Sequence, residues 1–91
     1  MNTHYVDDIR NPDGLHKVVC RQEPLERCRM HHVIYARGDY DQSPLAQSIR
    51  RHGINAHTFR LIAHLPRAEA TTVAEALVRD YQLRGISLNV R

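Results

Sequence analysis

Hydrophobic and polar positions alternate near the start of the chain, and this alternation predicts a β-hairpin. Residues 4–9 and 15–21 are rich in β-forming side chains, and Asn11-Pro12-Asp13-Gly14 lies between them. Asparagine favours the first position of a turn, proline fixes φ at the second, and glycine accepts a positive φ. We therefore expect two antiparallel strands joined by this tetrapeptide.

The middle of the chain predicts two helices followed by a strand. Apolar and aromatic residues recur every three to four positions over 24–35, which favours a helix there. Ser43 and Pro44 are typical of a helix start, and Gly53 is typical of the residue that follows a helix end. We therefore expect a short helix from Pro44 to His52. A strand is indicated next by alternating apolar residues before Pro66, namely Phe59, Leu61, Ala63 and Leu65.

The longest apolar stripe lies near the chain end and predicts a helix. Its members follow helical spacing: Ala70, Val73, Ala74, Leu77, Val78 and Tyr81. Gly85 ends this helix, and alternating apolar residues over 86–90 suggest a brief final strand. The order ββααβα(β) predicts an α+β fold, in which helices flank a small antiparallel sheet of three main strands.

Length and composition restrict the class of protein. A chain of 91 residues supports one domain, spanning 1–91, and 42% hydrophobic residues exclude general disorder. We find no apolar run long enough to span a bilayer and no secretory signal. Two cysteines do not make a disulfide framework, so we expect reduced thiols and a cytoplasmic location.

Arginine dominates the positive charge, since it supplies twelve of the thirteen Lys and Arg residues and the net charge is +3. Its planar fork of donors suits bidentate contacts to phosphates, which favours anionic partners. A surface that merely happens to be rich in arginine explains the composition equally well.

Glu75 is the first candidate for chemistry. It lies about 120° from the centre of the apolar stripe, at ~100° per residue, so a carboxylate there could hold a hard cation beside the packed face. Thr72-Val73-Ala74-Glu75 also matches a capping box, in which Glu75 would only satisfy a helix end. Taken alone, Glu75 fits this structural role better.

A second candidate is the basic run on the first predicted helix. Arg27 and His31 are four residues apart and share a helix face, where they could stabilise a phosphate and move a proton. A solvated basic face is the simpler interpretation. Zinc ligation by cysteines and histidines in this region has an unusual spacing, and His57 and His64 read as surface or packing residues.

In their order, these features resemble the GIY-YIG nuclease superfamily over nearly the whole chain. The similar segments are 9–18, 24–31, 48–53 with Phe59, 75–78 and 85–89. Both tyrosine motifs differ from the family pattern: Asp7 stands at the first tyrosine, and Val18-Val19-Cys20-Arg21 replaces the second motif. Tyr5 lies two residues from Asp7 on the same strand face and could substitute.

The resemblance implies a metal-dependent nuclease site. Arg27 would stabilise charge on the phosphate and Glu75 would hold one Mg²⁺ or Mn²⁺, while Tyr5, His31 and Asn89 would assist. DNA would be the partner, with phosphate contacts from Arg21, Arg29, Arg50 and Arg51. A chain of this size would need a homodimer or a protein partner to find its target.

Two other classes of function compete with this one. A catalytically inactive relative could bind nucleic acid or another protein, for example as a phage or plasmid accessory factor. A helix-turn-helix regulator is suggested by residues 45–61, although the spacing from Ala46 to Gly53 is too long and the next segment alternates like a strand.

Overall fold

The computed structural model describes residues 3–22 and 43–89. The helix predicted over residues 24–35 lies outside this part of the chain, as do Arg27, Arg29 and His31. The α+β class and the three-stranded antiparallel sheet are confirmed. In chain order the described elements are β1 (Thr3–Arg10), β2 (His16–Arg21), α1 (Pro44–His52), a short 3₁₀ helix (Ile54–Ala56), β3 (Thr58–Pro66) and α2 (Arg67–Leu83).

The side chain of Asn11 organises the turn between β1 and β2. Its Oδ1 accepts hydrogen bonds from the backbone N–H groups of Asp13 at 3.0 Å and Leu15 at 2.8 Å. Its carbonyl accepts the N–H of Gly14 at 3.1 Å, and the φ of 81° at Gly14 explains the glycine. The predicted hairpin is confirmed, and this turn fixes its register.

β1 is the central strand, because the sheet order is β2-β1-β3 and both neighbours run antiparallel to it. Successive side chains point to opposite sides of a strand. Val6 packs with the core under α2, and Ile9 packs with the core under α1; both are 0% exposed. We call the side of the sheet that carries Val6 the α2 face, and the side that carries Ile9 the α1 face. Even-numbered residues of β1 lie on the α2 face and odd-numbered residues on the α1 face.

β3 contains a β-bulge that the sequence pattern did not predict. Its pairing with β1 shifts at Ile62, which pairs with no residue of β1. As a result Phe59 packs with the core under α1, whereas Ala63 and Leu65 pack with the core under α2. The strand itself is confirmed, but the single alternating face expected over residues 59–65 is wrong.

α1 has the predicted start and end. The Ser43 Oγ accepts the N–H of Ala46 at 3.2 Å, and the N–H of Gly53, with φ of 85°, donates to the Ile49 carbonyl at 2.8 Å. The residues that follow form the 3₁₀ helix and then β3, which pairs with β1. A helix-turn-helix is therefore excluded over residues 44–66.

α2 buries the predicted apolar stripe but begins earlier than the stripe, at Arg67 directly after Pro66. Beyond Gly85, the predicted final strand is reduced to an isolated parallel bridge between His16 and Ser87 within the described residues. Cys20 is a free thiol. Neither described helix has the length and apolar character needed to cross a membrane.

Candidate functional site

Glu75 lies near the middle of α2, where it cannot take part in a capping box at the start of the helix. Because the helix begins at Arg67, Thr72 is an interior residue whose hydroxyl donates to the carbonyl of Ala68 at 3.0 Å. The capping-box interpretation is therefore wrong. Glu75 is exposed and forms no hydrogen bond or ion pair with the described residues. No described residue therefore competes with a ligand for its carboxylate.

Asn89 ties the end of the described chain to β2. Its Oδ1 accepts the N–H of Val18 at 2.8 Å, and its Nδ2 donates to the carbonyl of Val18 at 3.0 Å. The side chain thus replaces the two hydrogen bonds that a neighbouring strand would supply at this edge. Asn89 therefore holds the backbone of β2 in place at Val18.

Tyr5 lies on the α1 face, away from the helix that carries Glu75. Its ring stacks on His64 with centroids 4.0 Å apart and an interplanar angle of 6°. Tyr5 pairs with Arg21 across the hairpin and shares its face with Asp7, as expected from the spacing. The structure therefore does not bring Tyr5 together with α2.

The basic residues proposed to contact DNA are divided between elements. Arg21 ends β2, and Arg50 and Arg51 are exposed in the last turn of α1, where positive charge also favours the helix terminus. Arg51 lines a cavity of about 160 Å³ between α1 and the hairpin turn. Arg29 belongs to the part of the chain that is not described.

The two adjacent aspartates of β1 are both buried, but their surroundings differ completely. Asp7 is 0% exposed, and neither of its carboxylate oxygens accepts a hydrogen bond within the described residues. Burial raises the pKa of Asp7, and the charge of Arg21 opposes this rise. Asp7 is therefore a buried carboxyl group whose two oxygens accept no hydrogen bond from the described residues.

Asp8, by contrast, organises a polar cluster on the α2 face, which the sequence reasoning missed. Its carboxylate accepts hydrogen bonds from Nδ1 of His16 at 2.9 Å and from the hydroxyl of Tyr81 at 3.0 Å. Nη2 of Arg60 lies 3.6 Å from the same carboxylate. Asp8 is only 3% exposed, so its hydrogen bonds to His16 and Tyr81 are shielded from water, whereas the Arg60 side chain is 67% exposed at the edge of this cluster.

His16 is held in one orientation by this network. Its ring stacks on Tyr81 with centroids 4.4 Å apart, and its backbone N–H donates to the Ile86 carbonyl at 2.7 Å. Since Nδ1 faces a carboxylate, Nδ1 carries the proton in the neutral ring. Burial, together with the hydrogen bond to Asp8, raises the pKa of Tyr81, so its hydroxyl remains a donor.

A second polar network fills the space between the hairpin turn and α1. The amide of Asn11 donates to Ser48 Oγ at 3.3 Å, and Ser48 Oγ lies 2.8 Å from Nε2 of His57. Nδ1 of His57 donates to the carbonyl of Gly53 at 2.9 Å. Burial lowers the pKa of His57. The histidine is buried and both ring nitrogens have partners, in agreement with the packing role expected for it.

No protein-family model, curated protein or solved structure matches this chain. The resemblance to the GIY-YIG superfamily therefore stays a prediction from the sequence.

Proposed function

We propose that this chain is a GIY-YIG-like nuclease-fold protein that acts on or binds DNA, with Arg27 and Glu75 as the centre of metal-dependent phosphodiester hydrolysis. The observation that carries the proposal is the state of Glu75. The Glu75 carboxylate is exposed, has no partner among the described residues, and lies in the middle of a helix anchored by Ala70, Ala74 and Tyr81. A rigid helix can hold one acidic group in place for a ligand.

Glu75 would supply a single carboxylate ligand to the expected metal ion. The described residues contain no group of three metal-ligating side chains. Mg²⁺ nevertheless keeps several waters and is commonly bound through one or two carboxylates together with substrate phosphates, so a single exposed glutamate is compatible with it. Mg²⁺ or Mn²⁺ would supply an activated water and neutralise charge on the phosphate.

The protein's own residues would complete the reaction. Arg27 would stabilise the negative charge that develops on the phosphate, and His31 would assist proton transfer. Asn89 would act indirectly, since its side chain fastens the chain end to Val18 in the second motif segment. The exposed arginines would contact the DNA backbone.

A catalytically inactive DNA-binding relative is the second candidate, and the position of Tyr5 favours it. The only tyrosine near the first motif stacks on His64, on the opposite face from the helix of Glu75. Without a proton acceptor, phosphodiester hydrolysis loses about 10²–10⁴-fold in rate. In this form the chain would act as a cytoplasmic binding factor, alone, as a homodimer or with a protein partner.

Nicking of supercoiled plasmid in the presence of Mg²⁺ or Mn²⁺ tests the proposal. We expect nicking by the native chain, loss of nicking in Glu75→Ala, and retention in the matched control Glu69→Ala, an exposed acid in the first turn of the same helix. Nicking that persists in Glu75→Ala would contradict the proposed site. Salt-sensitive DNA retention without nicking would favour the inactive relative.

A further inference from the structure

A cavity of about 220 Å³ opens beside the Asp8 network on the α2 face. It is lined by Asp8, Arg10, His16, Thr58 and Arg60. The volume is that of several water molecules, at about 30 Å³ each, and is therefore large enough for a phosphate group. None of the lining residues belongs to the site built on Arg27 and Glu75.

The charge of this cavity is positive despite the aspartate in its wall. Asp8 is turned inward and its carboxylate already accepts two hydrogen bonds, with the Arg60 guanidinium at 3.6 Å. Arg10 forms no hydrogen bond or ion pair with the described residues. Two guanidinium groups thus outnumber the one carboxylate among the described residues of the cavity wall.

Part of the cavity wall is held in position by other side chains. Asp8 binds Nδ1 of His16 and Tyr81 stacks against the ring, so the imidazole that lines the cavity has one orientation. Arg60 is held near Asp8, and Thr58 adds a hydroxyl group. Preorganised donors bind an anion without the entropic cost of ordering flexible side chains.

We propose that the cavity binds a phosphate group, contacted by the guanidinium groups of Arg10 and Arg60 and by the hydroxyl of Thr58. A cation is disfavoured, because Asp8 is the only carboxylate that the described residues place in the cavity wall and its lone pairs are directed at protein donors. Arginine forks match the tetrahedral oxygens of phosphate bidentately. Free phosphate, a terminal phosphate and an internal phosphodiester all share this chemistry.

Titration of the ¹⁵N-labelled protein with inorganic phosphate, at constant ionic strength maintained with chloride, tests the proposal by NMR. We expect saturable shifts of the backbone amides of His16, Thr58 and Arg60. Arg10→Gln should weaken binding about 10-fold, the effect of losing one charge-assisted contact. This variant leaves the Asp8 network intact, so its fold is preserved, and Arg79→Gln on the exposed side of α2 serves as the matched control.

Short oligonucleotides with and without a 5′-phosphate distinguish the sources. Equal binding of both would identify an internal phosphodiester, and binding of only the phosphorylated form would identify a terminal phosphate. Binding of inorganic phosphate alone would identify a small phosphate ligand. Absence of saturable shifts with every probe, or equal affinities of the native chain and Arg10→Gln, would overturn the proposal. Because Glu75 is not involved, Glu75→Ala should bind phosphate normally even if it abolishes nicking.

Discussion

Asp7 and Asp8 are neighbours in the central strand and equally inaccessible to water, yet their replacement by asparagine should change stability in opposite directions. Asp7 is 0% exposed and its carboxylate accepts no hydrogen bond within the described residues. Asp8 is 3% exposed and accepts hydrogen bonds from His16 and Tyr81. The two substitutions remove the same charge, so they isolate the effect of the hydrogen-bond partners.

Asp7→Asn should raise the free energy of unfolding at neutral pH. A buried polar group without a partner costs about 1–3 kcal/mol, and more if it is charged. Asparagine has nearly the same shape as aspartate but carries no charge. Its amide would also lack a hydrogen-bond partner, and the attraction between Arg21 and the charge of Asp7 would be lost. We therefore expect a net gain of about 1–2 kcal/mol. In a domain of this size each kcal/mol raises the melting temperature by about 4–8 °C.

The pH dependence gives a second, independent signature. Burial raises the pKa of Asp7 above its ordinary value, so the folded protein binds this proton more tightly than the unfolded chain. The native chain should therefore lose stability as pH rises from the ordinary pKa of an aspartate, about 3.9, through the raised folded value. This loss should be absent in Asp7→Asn, and the gain from the substitution should shrink as pH falls.

Urea denaturation followed by circular dichroism, at a series of pH values, measures both effects. Asp8→Asn should lower the free energy of unfolding by about 1.5–3 kcal/mol, because hydrogen bonds to a charged acceptor are lost. The exposed Asp80, paired with Arg84 at 3.0 Å, provides the control, and Asp80→Asn should stay within about 0.5 kcal/mol of the native chain. Destabilisation by Asp7→Asn at neutral pH would refute the reasoning.

Three further substitutions test individual contacts by thermal or urea unfolding. Tyr81→Phe removes a hydrogen bond to the Asp8 carboxylate and should lower the free energy of unfolding by about 1.5–3 kcal/mol. An unchanged free energy of unfolding would mean that this hydrogen bond contributes nothing to stability. Ser43→Ala removes the helix cap and should cost about 1 kcal/mol, whereas Ser43→Asp should restore most of that loss. Asn89→Ala leaves both backbone groups of Val18 without this partner and should cost about 1–3 kcal/mol, with hydrogen exchange at the Val18 amide becoming faster.

Local signals in the sequence predicted most of the described fold. The turn residues at Asn11 and Gly14 specified the hairpin, and Ser43 and Gly53 specified both ends of α1. The bulge at Ile62 escaped prediction, because an extra residue shifts the pairing without altering the apolar pattern. The start of α2 was placed too late, since the residues directly after Pro66 do not belong to the apolar stripe.

Strand alternation did not predict the burial of the two aspartates of β1. Alternation predicts that one of two adjacent aspartates is exposed. Both are buried here, and β1 is a central strand with core packing on each face. The hairpin register already puts Asp8 and His16 on the same face, so that pair could have been found from the sequence. The contribution of Tyr81, which is 73 residues away along the chain, depends on tertiary packing.

The salt dependence of DNA affinity tests the proposed function most directly, because both the nuclease and its inactive relative must bind the DNA backbone. We expect the logarithm of the binding constant to fall linearly with the logarithm of salt concentration, by about 0.9 per phosphate neutralised. Replacing Arg50 and Arg51 by glutamine should reduce that slope by about one unit per arginine. Absence of DNA binding at low salt, or an affinity that does not change with salt, would contradict the account.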